Sequence, residues 1–163
     1  MERLGHRRSR RAFRCKVLRL QLPGGHPLGT QLEFDAAFIR ANRQMELAAD
    51  PDHGGRVSNG SLQEAHVILA LIDSGELRTP VVRTAGRGDC TDRNQQDWDI
   101  KSPRDTFWPQ FDVDTMVEKI RREVICGENV ILDLTGLTDG ANRQALREAV
   151  DRAGLAAHVR WYE

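Results

Sequence analysis

Asp97-Trp98-Asp99-Ile100-Lys101 is the stretch of this chain where residue type and spacing together admit chemistry. In an extended strand alternate side chains share a face. Trp98 and Ile100 then enter a core, while Asp97, Asp99 and Lys101 line up on the opposite face. A carboxylate beside an ammonium suits metal-assisted phosphodiester hydrolysis. The carboxylate binds a hard divalent cation through oxygen, and the lysine orients or deprotonates the attacking water and offsets transition-state charge. On spacing alone, the competing reading is an exposed ion pair worth about 0–1 kcal/mol.

One carboxylate seldom holds magnesium, so partners are expected. Asp89 lies ten residues before Asp99, where a hairpin would bring it back beside the strand. Asp92, in the same Gly- and Arg-rich loop, competes for that place, and either is also an ordinary turn residue. Glu64 is a third candidate if it faces the same site. Alternatively it is only the N3 member of a Ser61–Glu64 capping box.

The elements that must position these groups follow from periodicity. An amphipathic helix is expected from Leu32, with Phe34, Ala37, Phe38, Ala41 and Met45 on its apolar stripe. After a breaker-rich loop (Asp50 to Gly60), Ser61 opens a second helix with Ala65, Ile68, Leu69 and Ile72 on one face, and Gly75 lies past its end. Thr79–Arg83 reads as a strand, and Ala85–Asn94 as a loop or a hairpin turning near Asp92–Asn94. Asp97–Ser102 is a strand ended by Pro103. Asp114 caps a third helix bearing Met116, Val117, Ile120 and Val124, with Gly127 as its stop. Asn129–Leu134 is the strongest buried strand. Asp139 caps a fourth helix through Ala153, and Ala157–Tyr162 is a last strand. This order predicts an α/β domain with one mixed central sheet flanked by helices.

The chain has 163 residues, 39% of them hydrophobic, and a formal net charge of zero, which suits one ordinary domain rather than a disordered chain. Residues 1–19 carry eight basic side chains against Glu2, a sum of +7, so the remainder sums to −7. A basic arm on a mildly acidic body suits a polyanionic partner. Only Lys16, Lys101 and Lys119 are lysines among the 24 basic residues, which makes each lysine worth asking about. Cys15, Cys90 and Cys126 are odd in number and widely spaced, and read as reduced thiols. No apolar run is long enough to span a membrane. No secretory leader is recognised, so the expected site of action is cytoplasmic. Gly86-Arg87-Gly88 lacks the Lys-Ser/Thr of a phosphate-binding loop, and no Gly-x-Ser-x-Gly supports acyl chemistry.

Glu64, Asp89 and Asp99-Ile100-Lys101, in this order of elements, resemble the PD-(D/E)xK nuclease superfamily, whose core is an α-β-β-β-α-β unit. More narrowly, Trp98-Asp99-Ile100-Lys101-Ser102-Pro103 is similar to the "WDVKSP"-like strand that, with an aspartate, follows a glutamate-bearing helix in C-terminal nuclease domains of CdiA-type contact-dependent inhibition and related polymorphic toxins. The later strand Val130–Leu134 matches their "VLDL"-like strand. The likeness covers roughly Ser61 to Trp161. It departs at Gly88, where the superfamily has proline, and at Cys90, where an apolar residue is usual.

The resemblance implies a restriction-endonuclease-like core and a metal-dependent endonuclease. Asp89, Asp99 and Glu64 would bind Mg2+ or a similar ion, and Lys101 would complete the catalytic set. It further implies a toxin domain acting inside a target bacterium, with tRNA favoured over DNA, and a cognate immunity protein as partner. Residues 1–31 are then a basic arm and connector, and 32–163 the nuclease domain with its core at about 61–161. Alternatives are a nucleic-acid-binding module that does not cut and a chromosomal repair or restriction-type DNA nuclease. Phe107 and Trp108 are the candidates for stacking on an unpaired base. Trp98 and Trp161 are expected in the core.

Overall fold

The computed structural model describes residues 31–105 and 110–163. The Phe107–Trp108 stacking candidates and the basic arm lie outside them. Helix α1 spans Gln31–Ala48 and α2 spans Asn59–Asp73. Three antiparallel strands follow, β1 (Val82–Arg83), β2 (Cys90–Thr91) and β3 (Asp97–Lys101). Helix α3 (Val113–Ile125) crosses to β4 (Asn129–Asp133), and α4 (Gly140–Arg152) crosses to β5 (Val159–Tyr162). Both β4 and β5 run parallel to β3, so the five-stranded mixed sheet has the order β1-β2-β3-β4-β5.

The sheet divides two cores. Trp98, Ile100, Cys90 and Ile131 pack with Ala65, Val67, Ile68 and Leu71 of α2 and with Leu47 and Ala48 at the end of α1. On the other face, Val130 and Leu132 pack with Met116, Val117 and Ile120 of α3 and with Leu146 and Val150 of α4. β4 is buried on both faces, as a central parallel strand must be. Among the described residues, no helix is long and apolar enough to cross a membrane.

Several expectations need correction. The stripe expected on α1 is not buried: Phe38 and Met45 are exposed, and burial falls on Leu47 and Ala48. Helix α2 begins one turn earlier than expected. Ser58 is its N-cap, and the capping box is Ser58–Ser61, with Ser58 Oγ accepting from Ser61 N–H at 3.0 Å. Glu64 is therefore a second-turn residue with no capping role. Asp112, not Asp114, caps α3, accepting from Thr115 N–H at 2.7 Å. Asp139 caps α4 as expected. Trp98 is core, whereas Trp161 is half-buried under the Arg147 guanidinium.

Candidate active site

Register and alternation decide which side chains can meet. Asp97, Asp99 and Lys101 share the α3 side of β3, because Trp98 and Ile100 take the α2 side. Asp99 pairs with Val130 and Lys101 with Leu132, whose side chains lie in the α3 core. Counting back by two from Val130 puts Glu128 on that same side. Glu123, on the last turns of α3, reaches down from above.

Lys101 Nζ lies 2.8 Å from Asp99 Oδ2 and 2.8 Å from Glu123 Oε1. Asp99, Glu123 and Glu128 each offer a carboxylate oxygen, and these oxygens all lie within 4.8 Å of one another. Like charges at such range are costly in a half-buried place. Burial raises the Asp99 carboxyl, Lys101 opposes the rise, and Asp89 and Glu123 add to it. Glu128, 8% exposed, is also raised by burial, with Glu123 and Asp99 adding repulsion. For Lys101, burial pulls the ammonium downward, but Asp99 and Glu123 outweigh it and the net direction is upward. In this charge environment Lys101 favours the ammonium form, which suits orientation and charge compensation. Asp99 Oδ2 is buried and has no aligned hydrogen-bond donor despite the close ammonium. Three half-buried to buried carboxylates, oxygen donors only, fit a hard divalent cation.

The other two predicted ligands belong to a different network. Arg83 pairs with Cys90 across the hairpin and so points to the α2 side. Its Nη2 donates to Glu64 Oε2 at 2.7 Å, and its Nη1 lies 3.8 Å from Asp89 Oδ1. Asp89 sits at a bulge: its N–H donates to Trp98 O at 2.7 Å, although Cys90 is the ladder partner of Trp98. Asp89 Oδ2 accepts from Ile100 N–H at 2.7 Å, standing in for a strand carbonyl. Burial raises the Asp89 carboxyl; the Ile100 amide lowers it, Glu64 raises it, and Arg83 and Lys101 lower it. Asp89 thus feels both networks from its bulge at the start of β2. Gly88 makes the bulge possible, since its φ is +56° and a Cβ there would meet Trp98 O at 2.9 Å. Proline, held near −65°, cannot occupy that place.

Among the described residues, the acids that converge are therefore Asp99, Glu123 and Glu128, and not the expected Glu64, Asp89 and Asp99. Asp92 is a turn residue: its buried Oδ1 accepts from Asn94 N–H at 2.8 Å and Gln96 N–H at 3.1 Å. Asp133 is buried and fully partnered by Gln63, Ser102 and Thr135. Ser102 is thereby a structural hydroxyl. His66 stacks edge-on to Tyr162, and His158 Nδ1 bonds Asn129 Oδ1.

Sequence reasoning looked for partner carboxylates N-terminal to β3, whereas the two acids that converge with Asp99, Glu123 and Glu128, follow it. A signal was present. Glu128 continues the period-two row of Val130 and Leu132, and Glu123 follows the buried Ile120 by one helical turn. Three clefts, of about 670, 410 and 290 Å³, lie elsewhere on the surface. No protein-family model, curated protein or solved structure matches the chain.

Proposed function

We propose that the chain is a metal-dependent endonuclease in which Asp99, Glu123 and Glu128 hold a divalent cation such as Mg2+ and Lys101 stands beside it. The observation that carries this reading is the convergence of three carboxylate oxygens within 4.8 Å, with an ammonium 2.8 Å from two of the acids. A cation bound there would polarise a phosphate oxygen and acidify a water. Lys101, kept protonated by its two acids, donates to phosphate or water oxygens and offsets charge that builds during in-line attack. Asp89 adds negative potential from the bulge, and Arg83 fixes Asp89 and Glu64 in place.

The element order α2-β1-β2-β3-α3-β4, antiparallel through β3 and parallel at β4, supports a restriction-endonuclease-like core. The Trp98–Pro103 resemblance supports a toxin domain of the contact-dependent inhibition type, acting on tRNA before DNA and masked by a cognate immunity protein. The test is incubation of purified protein with tRNA or plasmid in Mg2+ or chelator, read on gels. Cleavage in Mg2+ alone, lost in Asp99→Ala and Lys101→Ala, is the expected result. A fully active Lys101→Ala protein refutes the assignment.

One observation favours a second reading, a nucleic-acid-binding module that does not cut: Lys101 is already paired with two of the three acids. Binding with a steep salt dependence and no product in Mg2+ would support it.

A further inference from the structure

The α3 side of the sheet is covered by helices over β4 and β5, but among the described residues no helix covers the hairpin β1–β2 on that side. Val82 pairs with Thr91 and Thr91 with Asp97, so these three share the face of Asp99 and Lys101. Val82 is 52% exposed although it lies in a strand. Around it a cleft of about 410 Å³ is lined by Pro80, Val82, Thr84, Thr91 and Arg93 among others. A second cleft, of about 670 Å³, continues from Arg93 to Arg78 and Thr79. The two arginine backbones are joined by the Arg93 N–H to Arg78 O hydrogen bond of 3.0 Å.

The charge of this ledge is uncommitted. Arg40, Arg43, Arg83, Arg121 and Arg147 are paired with carboxylates. Arg78 and Arg93 are exposed and have no carboxylate partner among the described residues. The one acid lining the clefts, Asp92, turns its Oδ1 inward to two backbone amides. Apolar side chains beside cationic ones suit an unpaired nucleic-acid strand, whose base faces rest on the former while phosphates meet the guanidinium groups. A duplex hides its base faces and gains nothing from Pro80 and Val82. Two strand spacings across and two residues along separate Val82 from Asp99, on the order of 12 Å.

We infer that the α3-side face of β1–β2, with Arg78, Val82 and Arg93 along it, is the docking ledge for an unpaired nucleic-acid strand running to Asp99 and Lys101. The inference rests on the nuclease reading and specifies how its substrate lies.

The test uses the full chain and a fluorescent oligouridylate in chelator, across a salt series. Arg78→Glu with Arg93→Glu should weaken binding at least ~10-fold and flatten the salt slope by about one unit or more. Arg152→Glu, a charge reversal on α4, should not. A photo-crosslinking residue at position 82 should label the RNA, and the same residue at position 152 should not. Unchanged binding in the double variant together with no crosslink from position 82 overturns the ledge, and Mg2+-dependent cleavage by that variant would leave the nuclease reading standing. Crosslinking at position 82 without cleavage in Mg2+ supports the ledge and overturns the nuclease. A chain that neither binds nor cuts overturns both.

Discussion

On the α2 side of the sheet two carboxylates, Glu64 and Asp89, lie against one guanidinium; on the α3 side three gather, Asp99, Glu123 and Glu128, and one ammonium pairs with the first two. Formally the first group sums to −1 and the second to −2. The cations differ as much as the counts. Arg83 is planar, permanently charged and 6% exposed in its side chain, and it stitches β1 to α2 and to the bulge. Lys101 is a point charge on a flexible stem that can shift to admit another ion. The first group therefore reads as a structural clamp. The second is under-compensated, with the Asp99 and Glu128 carboxyls pushed upward by burial and by neighbouring acids, and for that reason is the proposed place for a divalent cation.

The strongest way to break this contrast is Asp99→Ala, which should reduce Mg2+-dependent cleavage on the order of 10³-fold while leaving the far-ultraviolet circular dichroism unchanged. Substantial residual cleavage would remove Asp99 from the chemistry. Lys101→Gln should cost about 10²-fold in kcat, with the pH profile keeping its shape because the ammonium does not titrate near neutrality. Loss of an acid-side limb near neutral pH in the variant would instead make lysine the base.

The clamp is tested by stability. Arg83→Met leaves two acids facing each other and should lower the unfolding free energy by about 2 kcal/mol, less than a fully buried pair because both acids are about a quarter exposed and water relieves them. An unchanged urea midpoint would contradict the clamp. A smaller effect sharpens the division of labour. At about tenfold excess over its dissociation constant, Mg2+ should raise Tm by about 3–5 °C in wild type and Glu64→Gln, and hardly at all in Glu123→Gln. The reverse pattern would return the metal to Glu64.

The smallest effect concerns Asp112, whose carboxyl is held below the usual range by the Thr115 hydroxyl and amide. A depressed folded value means stability is present above the ordinary carboxylate range and lost as pH falls through the folded value. Asp112→Asn should therefore be less stable than wild type near neutral pH, with the gap narrowing in acid; a constant difference in Tm across that range would exclude the cap as its source.

The strand with Asp99 and Lys101 was legible because alternation alone separates Trp98 and Ile100 from the acidic row. The buried strand Asn129–Asp133 and the Asp139 cap were legible for similarly local reasons: an apolar run and a single capping carboxylate. The start of α2 was not. Ser58 and Ser61 both suit a cap, and the choice between them depends on how the loop before the helix packs. The α1 stripe failed because periodicity identifies an apolar face without saying whether anything covers it.

From the residues alone came the α/β class, the face that bears Asp99 and Lys101, and the type of chemistry they suit, because these depend on near-neighbour geometry with a period of two or 3.6. Tertiary structure decided which acids join them. The crossover through α3 carries Glu123 and Glu128 to the β3 face, and Arg83 takes Glu64 and Asp89 to the clamp. Those choices depend on strand pairing across tens of residues, which no local pattern records.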